Sequence, residues 1–146
     1  MSTMNTHTLE MVRPNGLRDS LGFIVSAWSD GQAELRVEVD QRHLNLNGYV
    51  HGGVFMSLLD SAAGLCGTYC GMPGRVRRCI TVAMNTQFIN PVEAGELVVV
   101  AKLVSRGRKI FFAEARITCG DKLIATAQGT LRYIRGGEDV NGVTLK

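Results

Sequence analysis

The chain has 146 residues, of which 45% are hydrophobic and 20% charged, and its net charge is +3 from 16 Lys and Arg against 13 Asp and Glu. That apolar content excludes a mainly disordered chain, and no run of about 18 apolar residues offers a membrane span. A balance this mildly basic, with no nucleic-acid-binding motif beside it, gives no reason to expect nucleic acid as a partner.

The whole chain, 1–146, reads as a single domain with a loose arm over 1–18 and a loose tail over 135–146. The arm is polar from Met1 to Glu10 and lacks the basic-then-apolar order of a secretion signal, so the expected address is the cytoplasm. Within it a short helix is expected near Thr8 to Val12, stopped by Pro14 and Gly16. Gly22 to Trp28 reads as a strand, and Asp30-Gly31 is a hairpin turn signal. Gln32 to Asp40 then alternates, with Ala33, Leu35, Val37 and Val39 on one face and Glu34, Arg36 and Glu38 on the other, the pattern of a half-buried antiparallel strand. A polar, Asn-rich loop runs from Gln41 to Val50.

Gly53 to Cys70 is too long for a strand and nearly apolar all round. It reads as a buried helix, about 27 Å long if helical throughout. Its small residues, among them Ser57, Ser61, Gly64 and Gly67, let other backbone come close. Gly71 to Gly74 ends it. Four strand-like segments follow, Cys79 to Ile89, Glu96 to Ser105, Ile110 to Cys119 and Lys122 to Ile134. The order β-β-α-β-β-β-β implies an α+β fold in which a curved antiparallel sheet covers one long apolar helix.

Four cysteines, Cys66, Cys70, Cys79 and Cys119, read as reduced core thiols. The Cys-x-x-Cys spacing of structural zinc is absent, and His7, His43 and His51 form no ligand pattern, so no metal or other cofactor is expected. No Gly-x-Ser-x-Gly elbow points to a serine hydrolase.

The chemistry concentrates where loop meets helix, at Asn45-Leu46-Asn47-Gly48-Tyr49-Val50-His51-Gly52-Gly53. The first backbone N–H groups of a helix have no partner within it, and the dipole there is positive. Two glycines leave room for a ligand oxygen to reach those donors, as a carbonyl turning into an oxyanion requires. The same glycines would equally serve a tight turn and a close helix–sheet contact. Asp60 is the second oddity, a carboxylate amid Leu58, Leu59, Ala62 and Ala63. Buried there it must be paired or hydrogen-bonded, either to nearby Ser or Thr hydroxyls or as a base facing a pocket. Asp60 lies eight residues past Gly52, about 12 Å along the axis. The two cannot act on one carbonyl within one chain. If both are catalytic, the site lies between two subunits and a two-fold dimer makes two of them.

The Asn45-x-x-Gly48-x-x-His51-Gly52-Gly53 pattern followed by Asp60 resembles the hotdog-fold acyl-CoA thioesterases of the phenylacetate-degradation type. The likeness runs over about residues 20 to 134, including Ile80 to Pro91 and the Gly-Arg-Lys turn before Ile110. It implies a five- or six-stranded sheet wrapped round the helix, self-association as a homodimer or dimer of dimers, and an acyl-CoA substrate. It implies that the Gly52 N–H polarises the thioester carbonyl and that Asp60 of the partner acts as base or nucleophile. Asn45, rather than Asn47, holds the thioester or a water, and His51 orients the group. Thr81 positions water near Asp60, with Thr86 as its competitor on the same strand. Gly53, Met84 and Phe88 fall to substrate binding, and Arg106, Arg108 and Lys109 to the coenzyme A phosphates. Phe55, Leu59, Tyr69 and Phe111 are further pocket candidates, and the acyl group itself stays open. A hotdog hydratase or dehydratase and a non-catalytic acyl-CoA-binding module are the alternative readings.

Overall fold

The computed structural model describes residues 15–144. The expected helix near Thr8 to Val12 falls outside them. A short helix, α1 (Gly16–Leu21), opens the described chain, with the Asn15 side chain accepting from the Arg18 N–H at its start. Then come β1 (Ile24–Ser29) and β2 (Gln32–Glu38), a 3-10 turn at Gln41–His43, the long helix α2 (Gly52–Thr68), β3 (Arg75–Val76), β4 (Arg78–Phe88), β5 (Glu96–Arg106), β6 (Ile110–Cys119), β7 (Lys122–Ile134) and β8 (Val143–Thr144).

Six strands form one antiparallel sheet in the order β1-β2-β5-β6-β7-β4. The sheet wraps α2, as the resemblance implied. Its inner face supplies Leu35, Val99, Phe111, Ile117 and Leu131, all nearly inaccessible, against Leu58, Leu59, Ala62 and Cys66 of the helix. The closest approach is at Gly67, where a Cβ would stand 2.2 Å from the Phe111 ring. Glycine is therefore required there for α2 to seat on β6.

The helix is not enclosed all round. β1 and β4 are the two ends of the sheet, and they leave a seam along α2. Gly53, Asp60 and the half-buried Ser57, Ser61 and Gly64 face out of the core, while Val54, Phe55, Leu58, Leu59, Ala62 and Ala63 face in. The tail is also more ordered than expected. Val143 and Val76 pair in a two-stranded ladder, and Gly142 packs on the Val76 carbonyl so closely that a Cβ would stand 2.6 Å from its oxygen.

β4 is an uncovered edge. Ile80, Val82 and Phe88 are each about half exposed, and Ile89 just beyond the strand is 47% exposed. An eleven-residue edge strand carrying large apolar side chains leaves one row of backbone groups without a neighbouring strand in the sheet.

Candidate functional site

The loop before α2 is held from several directions. The Asp40 carboxylate accepts from the Arg42 N–H at 3.0 Å, starting the 3-10 turn. His43, 1% exposed, accepts from the Asp40 N–H through Nδ1 at 2.9 Å, so its Nε2–H donates to the Leu21 carbonyl at 2.7 Å. Its own carbonyl accepts from the His51 N–H at 2.8 Å. His43 thus ties the β2 exit, the end of α1 and the start of α2 together. Its role was not evident from sequence; the Asp40-x-x-His43 capping spacing was the signal available for it.

Asn45 organises the next turn. Its side-chain oxygen accepts from the Asn47 and Tyr49 N–H groups at 2.9 and 3.2 Å, and Gly48 turns with a φ of 81°. The Asn45 side-chain amide N–H groups remain as donors. Asn47 enters this turn through its backbone, which separates the two asparagines.

His51 caps α2. Its Nδ1 accepts from the Gly53 N–H at 2.8 Å, which leaves the ring proton on Nε2, and its carbonyl accepts from the Val54 N–H at 2.9 Å. The Gly53 amide, expected to face substrate, is therefore already spent on the imidazole. Its lack of a side chain matters instead, since a Cβ would lie 3.0 Å from His51 Nδ1. The Gly52 N–H donates to no group among the described residues. It stands at the first position of the helix, where the dipole adds positive potential. The Phe88 ring sits beside it, 3.4 Å from where a Gly52 Cβ would be, and 6.4 Å between centroids from Phe55.

Asp60 is exposed in the seam, not buried among leucines, because the sheet ends leave its side of the helix uncovered. The desolvation argument for pairing it thus falls away, yet it is paired: Thr81 Oγ1 donates to Asp60 Oδ1 at 2.5 Å across from β4. Thr86 makes no such contact, and its hydroxyl is buried with no partner. A bulge at Val82 separates the two threonines along β4. Beside the carboxylate, burial and then the Asp60 charge push the Cys79 thiol up to about 12, which keeps it protonated and inert at neutral pH.

Asp60 and Thr81 line a cavity of about 500 Å³ bounded by α2, β1 and β4. Gly52 is not part of it. The two lie eight residues apart on one straight helix, a separation of about 12 Å. Met84 is half-buried and Phe88 exposed on β4. Arg108 and Lys109 sit exposed in the β5–β6 turn and form no ion pair among the described residues. Arg106, grouped with them from sequence, is committed elsewhere: it donates to Asp30 Oδ1 and to the Tyr133 hydroxyl oxygen, both at 2.9 Å. Tyr133 in turn donates to the Gly67 carbonyl at 2.6 Å. That chain of bonds ties the β1–β2 hairpin to the end of α2 and gives Arg106 a structural partner that Arg108 and Lys109 lack among the described residues. Among the described residues no three His, Cys, Asp or Glu side chains gather to hold a metal ion, and no helix is long and apolar enough to cross a membrane.

Residues 47–126 match the family model of the thioesterase superfamily. Human acyl-coenzyme A thioesterase 13 is 31% identical over 112 residues, covering 73% of this chain and 76% of its own. Among solved structures, a thioesterase from Haemophilus influenzae superposes with a TM-score of 0.78 at 26% identity, over 91% of this chain and 92% of that one. A mutant of the phenylacetic acid degradation protein PaaI from Thermus thermophilus superposes with a TM-score of 0.72 at 25% identity, over 82% of this chain and all of its own.

Proposed function

As a member of the thioesterase superfamily, this chain carries the site just described to a purpose, and we propose that it hydrolyses the thioester of an acyl- or aryl-CoA at two sites shared across a homodimer. The observation that carries the reading is a pair of groups with complementary chemistry and no means of meeting within one chain. One is the unpartnered Gly52 N–H at a helix start; the other is the Thr81-bound carboxylate of Asp60 in the seam.

The exposed β4 edge supplies the way to bring them together. Asp60 lies beside Thr81, and Gly52 lies beside Phe88. Antiparallel pairing of two β4 strands that sets Thr81 near the partner's Phe88 places the two-fold midway, near Met84 and Asn85. The two sheets then become one, and the half-exposed apolar side chains of β4 are covered. Val104 and Phe112, exposed on the outer face of the sheet, offer a further contact for a dimer of dimers.

In such a site the thioester carbonyl accepts from the Gly52 N–H, where charge develops as the tetrahedral intermediate forms. Asp60 activates a water or attacks directly, and the thiolate leaves with little help because thiols ionise easily. The Thr81 hydroxyl fixes the carboxylate, and can do so only while Asp60 accepts. Asn45 presents its free amide N–H groups toward the thioester or water. His51 positions Gly52 by capping the helix, and Gly53 leaves space for that cap. Met84 and Phe88 border the acyl path, and Arg108 and Lys109 are free to meet coenzyme A phosphates.

The test is free-thiol release from phenylacetyl-, hydroxybenzoyl-, acetyl-, hexanoyl- and dodecanoyl-CoA by the wild type and by Asp60→Asn. Release by the wild type that the variant loses supports the reading. Equal turnover by both removes Asp60 from the chemistry, and no release from any ester refutes the activity.

A further inference from the structure

The cavity beside Asp60 has an unusual charge balance. Its lining among the described residues includes four arginines, Arg18, Arg77, Arg78 and Arg135, and one carboxylate, Asp60 itself. Arg18 faces Asp19 at 3.8 Å. The other three form no ion pair among the described residues. Arg77 is the most unexpected of them, at 7% exposure. Its guanidinium lies 4.5 Å from the centroid of the Tyr133 ring, its Nε–H donates to the Gly137 carbonyl at 2.8 Å, and one terminal nitrogen donates to the Glu138 carbonyl at 3.4 Å. None of these partners carries the negative charge that normally accompanies a buried arginine. A guanidinium has five N–H donors in a planar fork, and these two bonds leave most of that fork unspent. Arg106, itself paired with Asp30, and the Gly67 carbonyl hold the Tyr133 ring in place under it.

Asp60 and this cluster lie at opposite ends of the same cavity. The cavity lining follows α2 from Asp60 to Thr68, a rise of about 12 Å, and Tyr133 reaches α2 at Gly67, next to Thr68. Apolar side chains, Phe23, Val25, Trp28, Leu65 and Leu131, line the cavity together with the polar Asn15, Ser61, Thr68 and Cys79. An open cleft with a carboxylate toward one end, cations toward the other and apolar side chains among its walls fits a chain with a thioester at one terminus and an anion at the other.

We propose that this thioesterase selects acyl groups ending in a carboxylate, the monothioesters of dicarboxylic acids, and that Arg77 with Arg78 and Arg135 binds the distal carboxylate. The inference rests on the thioesterase reading of Asp60 and adds its substrate class. Coenzyme A phosphates are the other source of negative charge. They hang from the sulfur side of the reacting carbon at the end of a long pantetheine arm, whereas a cavity of about 500 Å³ has the size of a small-molecule pocket.

Two pairs of substrates separate these sources. Adipyl-CoA and hexanoyl-CoA have the same chain length and differ in the distal carboxylate; adipyl- and hexanoyl-N-acetylcysteamine repeat the comparison without phosphates. The wild type is expected to favour adipyl over hexanoyl in kcat/KM by roughly ten- to hundredfold, the size of a hydrogen bond to a charged group, in both series. Arg78→Gln and Arg135→Gln are each expected to lower that ratio, as is Arg77→Gln, with the two solvent-side variants deciding the matter should Arg77→Gln fail to fold. Equal rates on adipyl and hexanoyl esters overturn the proposal while leaving the thioesterase reading intact. A variant effect equal on both CoA esters and absent from both cysteamine esters assigns the cluster to phosphates and also overturns it. No hydrolysis of any of the four refutes the activity itself.

Discussion

Gly52→Pro isolates the proposed oxyanion donor from everything else the glycine does. Gly52 is the first residue of α2, and its N–H has no acceptor among the described residues, so losing it breaks no bond within the chain. Proline is well suited to the first helical position, where its fixed φ matches the helix and its missing N–H would be unpaired anyway. The preceding residue must be extended, and His51 already is, at φ −62° and ψ 136°. The His51 cap on the Gly53 N–H is untouched. The added Cβ would stand 3.4 Å from the Phe88 ring, at the edge of ordinary packing. Thermal stability should therefore stay within about 1 kcal/mol of wild type, since no core contact or internal hydrogen bond is lost. Removing one oxyanion donor should lower kcat by about 10²–10³, or roughly 2.7–4 kcal/mol in the barrier. Thiol release at saturating acyl-CoA, read beside a thermal melt, gives both numbers. A folded Gly52→Pro protein with wild-type kcat would refute the assignment of this amide.

Three further outcomes follow from other parts of the structure. Thr81→Val keeps the shape of the side chain and removes the donor to Asp60 Oδ1; kcat should fall by about tenfold or more, as a charge-assisted hydrogen bond is worth about 1.5–3 kcal/mol, and an unchanged kcat would make that contact incidental. Gly67→Ala drives a Cβ to 2.2 Å from the fully buried Phe111 ring, so unfolding free energy should drop by about 1–3 kcal/mol, visible as a lowered denaturant midpoint, even though alanine is the better helix former. Burial raises the Cys66 and Cys79 thiols from an ordinary value of 9.0 to about 12 in the folded chain, so the unfolded chain releases their protons first as pH rises. Their contribution to stability is complete below pH 9 and is lost between there and about 12; Cys66→Ala with Cys79→Ala should flatten that alkaline decline in a denaturant titration.

The strands and the helix could be read from sequence because each satisfies one dominant period: β2 buries alternate residues, and α2 is too apolar and too long for a strand. The site motif was legible for a related reason. A helix start has fixed unpaired donors, and the spacing from Gly52 to Asp60 is a fixed rise, so local geometry alone gave the condition that the two can act on one carbonyl only across two subunits. What depends on partners far along the chain was not legible. The exposure of Asp60 depends on where the two ends of the sheet stop, and β1 and β4 lie at opposite edges. Arg106 looked like one more cation in a basic turn until Asp30, 76 residues away, took it. Arg77 stands beside Arg75 and Arg78 in a basic stretch with no local mark of burial, yet Tyr133 and the carbonyls after β7 cover it. The tail from Arg135 onward looked loose because its two-residue strand is too short to leave a pattern, and β3 is equally short.

The central claim is that one chain supplies Gly52 and the other supplies Asp60, and subunit complementation tests it most directly. Asp60→Ala and Gly52→Pro homodimers, each purified and each with little activity, are dissociated, mixed in equal amounts and allowed to reassemble. By symmetry a mixed dimer holds one site with both groups intact and one with neither, and half of randomly formed dimers are mixed, so thiol release should recover to about a quarter of wild type. If confirmed exchange restores no activity, each site is built within a single chain and the shared-site account is wrong.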